Sequence, residues 1–251
     1  MWNKPQLMTA VADLLLAAAT AALLMAAVLW VTRLPHFRLT QVNVVSAPVE
    51  LRPEEIEQAL DGLLHGNFFS VNVEALRQSL ERLPWVRRAD VRRRWPSSLD
   101  VRIEEHEPAA RWGEGGGGQL VNSHGELFTA VQSSPRALPV LSGPPAVASE
   151  LLGWYRQSAD LLRPLGRAPK SLHMSPRLAL QLKLDDGMVV ELGREQSKLP
   201  LRARLQRFVD HYPSVLAAGA ARPSVVDMRY PNGFALRAAP AAVPATERKG
   251  K

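Results

Sequence analysis

The chain has 251 residues, 46% of them hydrophobic and 22% charged, enough for one large or two small cores. Its formal charge of +7 and pI of about 10.2 permit binding to nucleic acid or to anionic lipid headgroups without requiring either. The absence of cysteine excludes disulfides and thiolate metal sites and suits an oxidising compartment.

From Leu14 to Val31 runs LLLAAATAALLMAAVLWV, 18 residues with only Thr20 polar. As a helix it measures about 27 Å, close to the thickness of a hydrocarbon core. Asp13 bounds it on one side, Arg33 and His36 on the other, and Trp30 falls where an interfacial aromatic belongs. A cleaved signal peptide would have a shorter apolar region and small residues at its cleavage site, which Trp30, Val31, Thr32 and Arg33 do not provide. The run therefore predicts an uncleaved transmembrane anchor over residues 14–31 behind a short tail, 1–13. Flanking charge leans slightly against an exported body, because Lys4 precedes the span while Arg33 and Arg38 follow it.

Next, Val42 and Val44 alternate with Gln41 and Asn43, a strand pattern. Phe37 and Leu39 are out of phase, so the strand starts near Gln41 or carries a bulge. In RPEEIEQALDGLL, Pro53 suits a first helical position and Glu54 and Glu55 the positive end of the dipole. Ile56, Leu60, Leu63 and Leu64 form its apolar stripe. NVEALRQSLERL predicts a second helix, with Asn72 as N-cap, Val73, Leu76, Leu80 and Leu83 facing inward, and Pro84 ending it.

PWVRRADVRRRWP, Pro84 to Pro96, then packs five arginines into thirteen residues. Ala89, Val91 and Trp95 share one parity, and Arg88, Asp90, Arg92 and Arg94 the other. After a short turn, Leu99, Val101 and Ile103 alternate with Asp100, Arg102 and Glu104, so the two runs predict a β-hairpin. Residues 87–94 sum to +4 and residues 99–107 to −3, so most of the arginine charge is answered across the hairpin. Nucleic-acid readers leave basic charge unpaired and supply aromatics for stacking. Here the two tryptophans flank the run and suit packing, which favours a structural strand face over a nucleic-acid grip. Arg93 alone shares the apolar parity, unexplained by the pattern. The order strand, helix, helix, strand, strand over residues 37–107 predicts a three-stranded sheet backed by two helices, an α+β domain.

The glycine run in EGGGGQ, Glu114 to Gln119, lacks the Lys-Ser/Thr of a phosphate loop and reads as a flexible hairpin tip. QLVNSHGELF gives two short strands around Ser123–Gly125, SPRALPVLSGPP a proline-rich loop, and ELLGWYRQSADLLRPL a helix. In LALQLKLDDGMVVELG, Leu178, Leu180, Leu182 and Leu184 alternate before an Asp186-Gly187 turn, and Met188, Val190 and Leu192 return. That turn explains Asp185 and Asp186 better than a metal site does. SKLPLRARLQRFVDHYPSVL is a helix with Leu201, Leu205, Phe208, Val209 and Tyr212 inward and Arg202 and Arg207 solvated. SVVDMRYPNGFALR closes the fold as a hairpin turning at Pro231–Gly233, and residues 240–251 read as a disordered tail. The second domain, 108–239, is thus β-rich with two helices.

Catalytic patterns are missing. The six histidines are scattered, with no H-E-x-x-H pair and no G-x-S-x-G elbow. Glu104, Glu105 and Glu107 lack apolar surroundings that would raise a pKa, and strand geometry points Glu104 away from the other two. The reading is a protein that is not an enzyme and uses no metal or cofactor.

Four stretches carry a family resemblance: PWVRRADVRRRWPSSLDVRIEEHEPAARW at 84–112, LVNSHGELF at 120–128, LPVLSGP at 138–144 and VDMRYPNGFALR at 226–237. In this order behind an N-terminal anchor, they resemble the FtsQ/DivIB family of bacterial cell-division proteins. The resemblance covers nearly everything from the anchor to Arg237. It implies a single-pass type II inner-membrane protein at the septum, with its N-terminus cytoplasmic and a periplasmic body made of a POTRA domain and a distal β domain. It implies a non-enzymatic scaffold that links early and late division proteins and binds FtsB and FtsL through the distal domain. The anchor and POTRA region would serve recruitment through FtsK and contacts with FtsW and other divisome proteins. It further implies partner contacts at Arg229, Tyr230, Asn232, Gly233, Phe234 and Leu236, with Arg177 nearby. One departure stands out: the family's last strand often continues to a tryptophan, where this chain has Ala238, Ala239 and Pro240. The corresponding apolar contact would fall to Phe234 or Leu236. Two other classes compete, a membrane-tethered nucleic-acid binder and a POTRA-type transport or chaperone module. Duplex-DNA binding would weaken steeply with salt, and a barrel-assembly component would more naturally repeat its POTRA unit.

Overall fold

The structure, a computed structural model, describes residues 5–32, 37–113, 118–132, 137–217 and 223–238. The chain divides into two compact units, Met1–Glu105 and His106–Lys251.

In the first unit, α1 (Pro5–Thr32) begins well before the apolar run and takes Asp13 into the helix. Its segment Met8–Thr32 is 25 residues long with mean hydropathy 2.5, long and apolar enough to cross a membrane. The one polar side chain of the run, Thr20, donates to the carbonyl of Leu16 at 2.7 Å, so it carries no unmet hydroxyl into that environment. There follow β1 (Gln41–Val44), α2 (Pro53–Leu60), α3 (Val73–Leu80), β2 (Val86–Arg94) and β3 (Ser98–Glu105). The sheet order is β1-β3-β2, with β1 parallel and β2 antiparallel to the central strand. Ile56 and Leu60 of α2, Leu76 and Leu80 of α3, and Leu99, Val101 and Ile103 of β3 are all buried.

The helices are shorter than their apolar patterns suggest. α2 stops at Leu60 because Gly62 turns the chain at φ +75°, so Leu63 and Leu64 lie beyond it, half-buried. Asn72 caps α3, its side chain accepting from Ala75 N at 3.1 Å. Glu105, expected to be solvated, accepts from the backbone N–H groups of Val49, Glu50 and Leu51 and so orders the loop that leads into α2.

The β2–β3 register sets Arg88 opposite Glu104, Asp90 opposite Arg102 and Arg92 opposite Asp100. Arg87 pairs with Glu104 at 2.6 Å and Arg92 with Asp90 at 2.8 Å. Arg93 leaves the alternation for a definite reason: its guanidinium donates to the carbonyl of Val71 at 2.9 Å.

The second unit holds β4 (Pro108–Trp112), β5 (Gln119–Asn122), β6 (Leu127–Thr129), β7 (Val140–Ser142), α4 (Ala148–Leu162), β8 (Pro169–Met174), β9 (Ala179–Leu184), β10 (Val189–Arg194), α5 (Leu201–Ala217), β11 (Pro223–Asp227) and β12 (Ala235–Ala238). One nine-stranded sheet runs β12-β11-β10-β9-β8-β7-β4-β5-β6. The expected proline-rich loop contains β7, which pairs in parallel with both β4 and β8. A three-residue strand in the middle of a sheet has no room to show alternation, so its pattern is silent. The first three glycines of the run, 115–117, fall outside the described residues; β4 and β5 on either side pair antiparallel.

Leu151, Leu152 and Leu162 of α4 and Leu201, Leu205 and Phe208 of α5 share one core with Leu172, Leu180, Leu182, Val190 and Leu192 of the sheet. Asn122 is buried and fully used: its Oδ1 accepts from His124 N and Glu126 N, and its Nδ2 meets Glu126 and His106. Gly125, in the same turn, has φ +85°, and a Cβ there would meet Ser149 Cα at 2.6 Å. Only glycine fits.

Candidate partner-binding site

β12 ends the sheet on one side, paired antiparallel with β11 and with no strand on its outer edge among the described residues. An open edge offers unpaired N–H and C=O groups to an added strand. The turn before β12 begins with Arg229, Tyr230 and Pro231.

Arg229 is held by two carboxylates. Its Nε and terminal nitrogen donate to Asp227 at 2.8 and 2.5 Å, and Glu191 lies 3.4 Å away. The backbone N–H of Arg229 also donates to Asp227 Oδ1 at 3.1 Å. Asp227 is only 3% exposed. Its hydrogen bond from Arg229 holds the carboxyl below the usual range, outweighing the opposing effect of burial. The same bond raises the Arg229 guanidinium above its ordinary value. About half of the Arg229 side chain, 54%, still faces solvent. Arg229 is thus a pre-positioned guanidinium whose Nε and one terminal nitrogen are engaged by Asp227, leaving about half of the side chain exposed in a fixed orientation.

Gly193 makes this possible. It sits at the β10 register shift with φ +77°, and a Cβ there would lie 2.9 Å from Arg229 Cγ. Arg207, expected to be merely solvated, donates to the carbonyls of Tyr230 at 3.2 Å and Pro231 at 2.7 Å, pinning the turn to α5. Arg204 is fully buried beneath it, donating to the carbonyls of Leu192 and Arg194. Burial pushes its guanidinium below the ordinary arginine value.

Tyr230 is 55% exposed. Asn232 is exposed and Gly233 half-buried at the tip of the turn. The two candidates for the apolar contact separate: Phe234 packs partly buried against the core, while Leu236 stays 38% exposed on the edge strand. β10 runs parallel to β11 and antiparallel to β9, so the start of β9 and the ends of β10 and β11 meet at one end of the sheet. Arg177 is exposed in the turn just before β9 and belongs to that end. Leu178 does not continue the strand alternation expected of it. It takes φ 59°, donates its N–H to Ser175 O at 2.9 Å and is 50% exposed beside Arg177. The residues that sequence reasoning missed here, Glu191, Gly193, Arg204 and Arg207, act through tertiary proximity. Only Asp227, two residues before Arg229, left a local trace.

Residues 110–229 match the description "Cell division protein FtsQ/DivIB, C-terminal", and residues 37–106 match "POTRA domain, FtsQ-type". The chain is 39% identical over 240 residues to the cell division protein FtsQ of Burkholderia pseudomallei, an alignment covering 95% of each chain. It is 36% identical to that of Bordetella pertussis, covering 96% of this chain and 94% of the relative, and 38% identical to that of Nitrosospira multiformis, covering 94% and 99%. A POTRA domain followed by a β-rich domain, behind an apolar helix that fits a single-pass membrane protein, places the chain in the FtsQ/DivIB family of cell-division proteins.

Proposed function

We propose that the chain is a non-enzymatic divisome scaffold that binds FtsB and FtsL through its distal β domain, residues 108–239, and links early and late division proteins. Residues 14–31 anchor it in the inner membrane at the septum, with the N-terminus cytoplasmic and the body periplasmic; long domains translocate largely regardless of flanking charge. The POTRA domain, residues 37–107, and the anchor serve FtsK, FtsW and other divisome partners; residues 240–251, expected from the sequence to be a disordered tail, lie outside the described residues. The observation that carries the reading is the open edge of β12 beside a fixed arginine and an exposed tyrosine. A strand from FtsB satisfies the edge, with Arg229 and Tyr230 as anchors, Asn232 and Gly233 shaping the approach, and Leu236 offering the apolar contact. The family to which the chain belongs, and the cross-strand pairing of the arginines, favour this over nucleic-acid binding.

The test is calorimetry of the full chain in lipid nanodiscs, titrated with the periplasmic FtsB–FtsL pair. Tyr230→Ala should weaken binding by roughly 1–4 kcal/mol with unfolding unchanged within about 1 kcal/mol, as interface hot spots do. Arg229→Glu should weaken binding as much and should also lower stability, because it leaves the buried Asp227 carboxylate without its partner. Unchanged binding in both folded variants would move the site toward Arg177.

A further inference from the structure

A second surface lies at the other end of the molecule's function, where the POTRA domain meets its anchor. Phe37, Phe68, Phe69 and Trp95 form one ring cluster. Phe37 packs edge-on against Phe69 at 5.2 Å and tilted against Trp95 at 5.4 Å; Phe68 meets Phe69 at 5.3 Å and Trp95 at 5.8 Å. Such clusters are normally buried, yet Phe69 is 48% and Trp95 65% exposed. In water that is an unfavourable apolar patch.

The turn that carries the phenylalanines is tied to the end of the apolar helix. Asn67 Nδ2 donates to the carbonyl of Thr32, the last residue of α1, at 2.5 Å. Asn67 Oδ1 accepts from Phe69 N and Ser70 N, at 3.0 and 2.9 Å, and Phe68 N donates to Phe37 O at 2.8 Å. One asparagine therefore fixes the aromatic turn against the helix end. Trp30, two residues before that end, is exposed too. Exposed Arg38 adjoins Phe37, and Arg94, next to Trp95, has a side chain 66% exposed. Aromatic rings flanked by arginines, at the end of an apolar helix of spanning length, match the chemistry of the headgroup region, where rings bury their bodies and cations meet phosphates.

We propose that Phe69 and Trp95, held by Phe37 and Phe68, insert into the headgroup region of the bilayer that holds α1 and fix the POTRA domain on the membrane surface. This rests on the reading of α1 as a membrane span.

The chain has no cysteine, so single-cysteine variants carry a nitroxide label without background. The full chain is reconstituted in vesicles of phosphatidylethanolamine and phosphatidylglycerol, and collisions of the label with oxygen, enriched in lipid, are compared with those with a water-soluble nickel chelate. Phe69→Cys and Trp95→Cys each leave the other rings in place, and exposed His65→Cys, near the turn, spares all of them. Leu23→Cys reports the anchor, and Val131→Cys, 85% exposed in the second unit, gives the aqueous reference. Labels at Phe69 and Trp95 should show an oxygen-to-nickel ratio severalfold above that of Val131 and below that of Leu23, with His65 intermediate. Ratios equal to that of Val131 at all three positions, with Leu23 still rich in oxygen, would overturn the proposal while leaving the anchor intact. A Leu23 label as exposed to nickel as Val131 would instead overturn the anchor reading, and the proposal with it.

Discussion

Reversing Arg88, Arg92 and Arg94 to glutamate tests whether the arginine strand is architecture or a recognition surface. In the β2–β3 register, two of these residues face carboxylates directly, Arg88 opposite Glu104 and Arg92 opposite Asp100, and Arg94 lies 3.7 Å from Asp100. Arg92 also pairs with Asp90 on its own strand at 2.8 Å. A directly opposed charge pair is worth a few tenths to about 1 kcal/mol, and a like-charge pair costs about as much, so reversal changes each pair by up to about 2 kcal/mol. These side chains are largely exposed, 76% for Arg92 and 66% for Arg94, so solvent screening keeps each change near the bottom of that range. The triple variant should therefore lose about 1–3 kcal/mol, or roughly 5–20 °C of Tm for a domain of about 70 residues. Thermal unfolding of the full chain at low salt should show the POTRA transition moving alone. In about 1 M salt, where the Debye length falls to about 3 Å, the shift should shrink. Adding Asp100→Arg and Glu104→Arg should restore most of it. A triple variant that unfolds like the parent at low salt but no longer binds a division partner would refute the structural reading and make the strand a recognition surface.

Two predictions concern the support beneath the hairpin turn. The Asp227 carboxyl is held below its ordinary value in the folded chain, so its contribution is present above the unfolded value, about 3.9, and is lost as pH falls through the folded value. Asp227→Asn should lower the urea midpoint at pH 7, and the gap from the parent should narrow at pH 3; an equal gap at both would remove the ionised pair from the explanation. Gly193→Ala places a Cβ against Arg229 Cγ at φ +77° and should cost about 1–2 kcal/mol of stability. It should also weaken FtsB–FtsL binding in calorimetry by displacing Arg229, and unchanged binding would show that the guanidinium need not be fixed.

Where burial is one-sided and the strand long, alternation carried the fold. Leu99, Val101 and Ile103 are buried in β3 as their parity requires, and the Leu180–Leu182–Leu184 run faces the second core. Local chemistry also read correctly at Asn72, whose cap needs only the residues beside it. Features made by the tertiary structure stayed hidden. β7 is too short and too central to alternate, and Leu178 breaks its leucine run because a turn takes it. Charged residues were the least legible. Glu105 orders a loop more than fifty residues away, Arg93 serves the carbonyl of Val71, and Arg204 is buried among backbone carbonyls. An isolated Glu or Arg in a pattern reads as solvated, because its partner is a backbone group that no sequence pattern marks. In the candidate partner site, Arg229 and Tyr230 were visible only through the family word VDMRYPNGFALR, while Gly193 and Arg207, which hold them, were not.

The most direct measurement is hydrogen exchange of the full chain in nanodiscs, with and without the FtsB–FtsL pair, followed at Ala235–Ala238. Strand addition closes the outer edge of β12, so amides there that exchange freely in the unbound chain should slow markedly on binding, and Arg229→Glu should abolish the slowing at the same partner concentration. Bound FtsB–FtsL with unaltered exchange in β12, or protection confined to the POTRA domain, would contradict the assignment of this edge as the partner site.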